Sequence, residues 1–219
     1  MSTSPLMTIL RPVAHTAYRL LFPCRAIDDH YAHMPKGQPM IVACNHPGHH
    51  DPIIILSRLN RNPHFLAKAE LFDGSFGWLF KHLGLIRVNR DKHGSGLKAA
   101  EQVLRDNHVV AIFPEGTTKF KKINQLLPFK YGAVKLAMAT GTPILPVAII
   151  GRPRPLWFGR AKVKFGKPYT IPANTTIDQA NHELEQKILK MMRQAGMKDA
   201  ELLPGKPASN PSKQPPKSD

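Results

Sequence analysis

The chain has 219 residues, enough for one domain with a true core and short appendages. Its two cysteines, Cys24 and Cys44, exclude a disulfide framework and point to a reduced, intracellular setting. The formal net charge of +16 calls for an anionic partner: nucleic acid, a lipid surface, an acidic carrier protein or a phosphorylated substrate. No apolar run approaches the ~20 residues of a membrane span. The N-terminus also lacks the basic start, apolar middle and small-residue cleavage site of a signal peptide.

Residues 6–22 read as an interfacial helix. Arg11, His15 and Arg19 are spaced by four and share one face, while Val13, Ala14, Ala17, Tyr18, Leu20 and Leu21 fill the rest. Pro12 either kinks the segment or marks its start. Such a helix docks on a membrane surface or packs on its own domain, and the spacing leaves both open.

The stretch from 40 to 52 organises the rest of the chain. Met40 to Cys44 is an apolar run that predicts a buried strand, and it stops at the turn residues Asn45-His46-Pro47-Gly48. Asp51-Pro52 then opens the apolar segment Ile53 to Leu59, with Asp as a favoured N-cap and Pro as a favoured first helical residue. A tight turn can fold His46 against Asp51. A carboxylate on one ring nitrogen fixes the tautomer and leaves the other nitrogen free to accept a proton, which suits a general base. Two other readings stand beside this one. Asp51 can simply cap its helix while His46 fills the turn. The dense group His46, His49, His50 and Asp51 can also bind metal, although zinc sites draw ligands from distant segments and no second His/Cys cluster exists.

Further along, His64 to Lys68 and Leu83 to Val88 read as strands. Ser95 to Asn107 carries Leu97, Ala100, Val103 and Leu104 at the spacing of an amphipathic helix. Val109 to Phe113 is a strand that runs straight into Pro114-Glu115-Gly116-Thr117-Thr118. Tyr131 to Thr140 predicts a helix closed by Gly141. Ile144 to Ile150 is a strand whose Pro146 predicts an edge position or a bulge. Ala161 to Phe165 is a further strand and Ile177 to Met192 a last helix. Residues 204–219 have no apolar periodicity and read as a disordered tail.

The alternation predicts an α/β fold, a single mostly parallel β-sheet flanked by helices. Ligands of such sheets gather at the carboxyl ends of the strands. His46, Lys68, Arg90 and Glu115 each follow a strand end, so one rim can hold all four.

Four motifs in order resemble one family. Asn45-His46-Pro47-Gly48-His49-His50-Asp51 matches Asn-His-x-x-x-x-Asp, and Gly84-Leu85-Ile86-Arg87-Val88-Asn89-Arg90 is similar to Gly-x-Ile-x-Val-Asp-Arg. Phe113-Pro114-Glu115-Gly116-Thr117 has an identical core, and Thr142-Pro143-Ile144-Leu145-Pro146-Val147 is the proline-rich block. Lys68-Ala69-Glu70-Leu71 and Phe76-Gly77-Trp78 also match. Over residues 38–170 the chain resembles the 1-acylglycerol-3-phosphate (lysophosphatidate) acyltransferases, within the glycerolipid acyltransferases.

The resemblance implies acyl transfer from a thioester to the sn-2 hydroxyl, with His46 as base and Asp51 orienting it. General-base help of this kind contributes about 10²–10⁴ in rate. The donor is acyl-CoA or acyl carrier protein, with no cofactor and no metal. The chain has no Gly-x-Ser-x-Gly elbow, which fits direct transfer, and strand alternation makes Cys44 a core residue rather than a nucleophile. Backbone N–H groups of the Glu115-Gly116-Thr117 turn or of the opening loop are the candidates for an oxyanion site.

By the same resemblance Lys68 and Arg90 hold the acceptor's phosphate, Glu115 and Gly116 shape its site, and Arg87, Thr117, Thr118 and Lys119 join the substrate-binding set. Bidentate Arg and point-charge Lys suit a phosphate monoester. For Arg87, which alternates with its neighbours along a strand, a solvated surface charge is the rival reading. Two positions depart from the pattern: Asn89 stands where Asp is usual, and Thr118 where many members carry a phosphate-binding Arg.

The chain divides into three parts: a membrane-associating helical segment (1–35), the acyltransferase domain (36–200) and a disordered basic, Pro-rich tail (201–219). Arg152, Arg154, Arg160, Lys162, Lys164 and Lys167 run without an intervening acid, with Trp157 and Phe158 among them. That pattern suits an anionic bilayer, at roughly 1 kcal/mol per basic residue. Arg11, Arg19, Arg152, Arg154 and Trp157 are therefore the expected membrane contacts, and the expected location is peripheral, on the cytoplasmic face of the inner or plasma membrane. Two rivals remain. One is acylation of another lysolipid, such as a lyso-ornithine lipid or a lysophospholipid. The other is a basic nucleic-acid binder, which the absence of a helix-turn-helix, zinc-finger or RNA-binding aromatic motif argues against.

Overall fold

The computed structural model describes residues 16, 20–21, 24–73, 85–88, 95–118, 123–152 and 161–204. Nine strands are assigned among them: β1 (Cys24–Ile27), β2 (Met40–Cys44), β3 (Pro63–Lys68), β4 (Ile86–Val88), β5 (Val109–Ile112), β6 (Gln125–Leu126), β7 (Ile144–Ile150), β8 (Ala161–Phe165) and β9 (Glu201–Leu202). The helices are α1 (Asp51–Arg58), α2 (Glu70–Asp73), α3 (Ser95–Arg105), α4 (Gly132–Thr140) and α5 (Ile177–Gln194), with a 3₁₀ turn at Asp29–Ala32.

Seven strands form one sheet in the order β1-β8-β7-β2-β5-β3-β4, and β6 pairs with β9 apart from it. Within the large sheet only β7 and β8 pair antiparallel. The carboxyl ends of β7, β2, β5, β3 and β4 therefore share one edge. The central strands β2, β5 and β7 are buried along their whole length, as expected where helices cover both faces. Alternation still sorts their side chains. Ile41 and Ala43 face a core shared with α3, α4 and α5, while Met40, Val42 and Cys44 face one shared with α1. On β8, Ala161, Val163 and Phe165 are buried and Lys162 and Lys164 are half-exposed, the pattern of a sheet with one wet face.

Helix ends follow local chemistry. Thr176 and Gln179 form a reciprocal capping box at the start of α5. Gly141 closes α4 in the left-handed region, at φ 66°.

Two features depart from the sequence reading: strand β1 within 1–35, and strand β9, which pairs with β6 inside the tail read as disordered over 201–219. Strand β1 lies inside residues 1–35, which the sequence gives to a helical segment, and it extends the sheet beside β8 in register with Ala161 to Lys164. Of the two positions expected for Pro146, an edge or a bulge, the structure shows the bulge: the residue lies in β7 between β8 and β2, opposite one extra residue. The strand tolerates it because the irregularity falls on the neighbouring chain. Val147 pairs with Phe165, yet Ile144 bridges Tyr169, so one extra residue is accommodated after β8. The missing N–H of Pro146 faces that interruption, and its carbonyl still accepts from Gly166 N–H at 2.9 Å. A Cβ on Gly166 would lie 2.8 Å from Pro146 Cγ, so this close approach requires glycine.

Of the interfacial helix expected over 6–22, only Thr16, Leu20 and Leu21 are described, and they are helical and exposed. Residues 205–219 of the expected tail lie outside the described residues. No helix among the described residues is long and apolar enough to cross a membrane.

Candidate active site

The site starts where β2 stops. Asn45 is 3 % exposed and is held on both sides by Ile149 of β7, donating from Nδ2 to its carbonyl at 2.9 Å and accepting its N–H at 2.8 Å. The adjoining turn is thereby anchored to the sheet. His46 is the next residue, and its Nδ1 lies 2.7 Å from Asp51 Oδ2. The same oxygen accepts Gly48 N–H at 2.8 Å.

Helix α1 begins at Asp51, with His50 as N-cap and no side-chain cap bond. Asp51 is thus spent on the histidine and the turn, and the reading of Asp51 as a mere cap is set aside. Its side chain is 1 % exposed. Burial pushes its carboxyl above the usual carboxylate range, opposed by the bonds from His46 and Gly48. With a carboxylate on Nδ1, the neutral ring carries its proton there and presents Nε2 as the basic nitrogen. Among the described residues no three His, Cys, Asp or Glu side chains are grouped to hold a metal ion.

Two residues after β5 complete the setting of His46. Phe113 stacks on the imidazole with ring centroids 4.0 Å apart and planes 17° apart, and Phe65 of β3 stacks behind Phe113. Glu115, 6 % exposed, accepts His46 N–H at Oε1 (2.8 Å) and Leu127 N–H at Oε2 (3.0 Å). The resemblance makes Glu115 a shaper of the acceptor site; the structure adds a brace on the backbone of His46. Neither that brace nor the Phe113 stack is part of the sequence reading. The signal available for them is the apolar-then-acidic order Phe113-Pro114-Glu115 directly after a buried strand.

Gly116 comes next at φ 69°, in the left-handed region that glycine tolerates, and the Lys130 side chain passes where a Cβ would sit. Gly116 N–H donates to Phe113 O at 3.0 Å. The N–H groups of His46, Gly48 and Gly116 are therefore committed within the protein, which removes them as ready oxyanion donors.

The remaining sequence candidates are spread along the same edge and beyond it. Lys68 closes β3 in register with Val88, at the same sheet edge as His46. Arg87 on β4 is exposed and pairs with Asp73, its Nη2 3.0 Å from both carboxylate oxygens, which fits the reading of a solvated surface charge. Thr117 is exposed and Thr118 half-buried, both just beyond Gly116. Arg152 directly succeeds Gly151 at the carboxyl end of β7. Arg90, Lys119, Arg154, Trp157, Arg11 and Arg19 lie outside the described residues. Cys44 is fully buried, and burial pushes its thiol well above the ordinary value, so it is a core residue.

A histidine oriented by a buried carboxylate serves unrelated folds and several chemistries, so this geometry alone does not choose a family. The acyltransferase family model matches residues 27–150. The chain belongs to the acyltransferase family. Among its relatives, a probable 1-acyl-sn-glycerol-3-phosphate acyltransferase of Mycoplasma pneumoniae is 33% identical over 129 residues, covering 54% of this chain and 46% of the relative. The 1-acyl-sn-glycerol-3-phosphate acyltransferase of Bacillus subtilis is 31% identical over 121 residues, covering 54% and 59%. The chain thus spans about half the length of the curated relatives it matches. Its fold is similar to the crystal structure of the 1-acyl-sn-glycerophosphate acyltransferase of Thermotoga maritima, with a TM-score of 0.71 at 22% identity over 87% of this chain and 79% of that one. Strand β2, His46, Asp51, Lys68 and Glu115 all fall inside the family match.

Proposed function

We propose that this acyltransferase moves a fatty acyl group from acyl-CoA or acyl carrier protein to the sn-2 hydroxyl of 1-acylglycerol-3-phosphate, making phosphatidate for phospholipid biosynthesis. The observation that carries the chemistry is the 2.7 Å contact between His46 Nδ1 and the buried Asp51 carboxylate. The names of the curated relatives support the acceptor.

In this reading His46 Nε2 takes the proton of the acceptor hydroxyl as its oxygen attacks the thioester carbonyl. The tetrahedral intermediate then expels the thiolate, which recovers the proton from the imidazolium, and the ester is formed. Asp51 holds the ring in the productive tautomer and stabilises the imidazolium that forms. The inert burial of Cys44 supports direct transfer over a covalent acyl-enzyme.

Lys68 and Arg90 grip the phosphate of the acceptor, with Lys119 or nearby backbone N–H groups in place of the Arg that Thr118 replaces. Each charge-assisted bond to the phosphate contributes roughly 1.5–3 kcal/mol. The enzyme works as a peripheral protein on the cytoplasmic face of the membrane, drawn there by the basic run from Arg152 to Lys167 and by residues 6–22.

A panel of lysolipids, each offered with acyl-CoA and with acyl carrier protein, tests the reading through the rate of ester formation. The expected result is fastest ester formation on lysophosphatidate and background turnover by His46→Ala. Preference for a lyso-ornithine lipid or a zwitterionic lysophospholipid would overturn the acceptor assignment. Near-normal turnover by His46→Ala would overturn the mechanism.

A further inference from the structure

The family match ends at residue 150, yet helix α5, which starts at Ile177, reaches back to the site through buried polar groups. Asn181 and Glu185 are spaced by one helical turn, are 4 % and 7 % exposed, and stand among the apolar residues Ala180, Leu184 and Ile188. Buried polar groups are as a rule hydrogen-bonded, and Asn181 Nδ2 and Glu185 Oε1 both are. Both are used on one residue. Phe129 N–H donates to Glu185 Oε1 at 2.6 Å, and Asn181 Nδ2 donates to Phe129 O at 3.0 Å. The other oxygen of Glu185 faces His182 at 3.7 Å. From the same helix, Asp178 accepts the Tyr131 hydroxyl at 2.5 Å.

The segment held in this way is the one that holds the site. Leu127 N–H donates to Glu115 Oε2 at 3.0 Å, and Lys130 N–H donates to Pro114 O at 2.9 Å. Glu115 then takes His46 N–H with its other oxygen. A continuous chain of short, largely buried contacts therefore runs from α5 through residues 127–130 and Glu115 to the backbone of the base.

We propose that Asn181 and Glu185 are positioning residues for acyl transfer, clamping Phe129 so that Leu127 and Lys130 fix the Pro114-Glu115 corner and, through it, His46. The inference rests on His46 as the base. Small displacements of a base cost rate steeply, because the reacting atoms must approach to hydrogen-bond reach. The clamp touches no substrate, so its loss lowers kcat and leaves KM nearly unchanged.

The test measures kcat and KM with lysophosphatidate and acyl-CoA alongside thermal melting. Glu185→Ala is expected to lower kcat by up to ~10-fold with KM within about twofold. Glu185→Gln, which keeps an oxygen acceptor for Phe129 N–H, should restore most of it. In a Glu115→Ala background the same Glu185→Ala change should cost less than about twofold further, because the path is already cut. A purely structural role would lower the melting temperature and leave kcat per folded molecule unaltered. Folded Glu185→Ala with wild-type kcat, or the full loss persisting in the Glu115→Ala background, would overturn the proposal. Should Glu185→Ala not fold, Asn181→Ala removes only the bond to Phe129 O and is judged by the same criteria. His46→Ala run in parallel keeps the two readings apart: inactive His46→Ala with normal Glu185→Ala sinks the clamp alone, and active His46→Ala sinks the base.

Discussion

Two carboxylates hold the same histidine, and they do so in opposite ways. Asp51 comes five residues after His46, grips the imidazole and is set by one turn of chain. Glu115 comes 69 residues later, grips the backbone N–H and is set only once β5 lies beside β2. The local partner fixes which ring nitrogen faces the carboxylate. The distant partner decides where the ring is. Chemistry and placement are thus encoded separately, and substitutions can separate them.

Removing the shared object has the largest effect. His46→Ala should lower acyl transfer by about 10²–10⁴, with circular dichroism and vesicle binding unchanged. Asp51→Asn should come next, lowering kcat by roughly 10²-fold or more with little change in acceptor KM, because an amide no longer enforces the tautomer. It should also change stability in a pH-dependent way. Burial raises the Asp51 carboxyl above its usual 3.8, so the stability it carries is full below that value and is lost as pH rises through the raised one. The melting temperature of Asp51→Asn relative to wild type should therefore increase as pH rises above 3.8. A flat difference would contradict the burial argument.

Breaking the distant partner should be milder. Glu115→Ala leaves two backbone N–H groups without their acceptor, at roughly 1–3 kcal/mol each, and should lower kcat about 10-fold. Glu115→Gln, which can still accept at one oxygen, should fall between it and wild type. If Glu115→Ala instead raised acceptor KM with kcat intact, its part would be substrate contact rather than bracing. The smallest effect belongs to Arg87. Its exposed pair with Asp73 contributes about 0–1 kcal/mol, and Arg87→Ala should leave lysophosphatidate KM within about twofold.

The same division explains which features are legible in the sequence. The strand–turn–helix from Met40 to Arg58 and the pairing of His46 with Asp51 are legible because apolar runs, turn residues and a five-residue spacing are all local. The parallel sheet is legible from alternating elements. The Glu115 brace, the Phe113 stack and the Asn181 and Glu185 contacts are not, since each depends on which strands become neighbours. Pro146 is legible in part: the sequence leaves an edge or a bulge open, and only the folded sheet selects the bulge. A proline rule cannot know that the adjacent chain carries the extra residue opposite it. Strand β1 is hidden by length: four residues with one buried side chain give no period to detect. One clue is present on α5, where Asn181 and Glu185 interrupt an otherwise apolar helix face.

The position of β2 also governs how the protein is made. Its two partners are β5, which begins at Val109, and β7, which begins at Ile144. A chain emerging from the ribosome therefore carries the His46 turn for about a hundred residues before the second flank of its strand exists. Until then an apolar five-residue strand has unpaired edges, a state prone to aggregation and slow to resolve because its contacts are so distant in sequence. Folding of this chain should accordingly be limited by the docking of β7, and the His46 turn should be among the last parts of the sheet to become protected from solvent exchange.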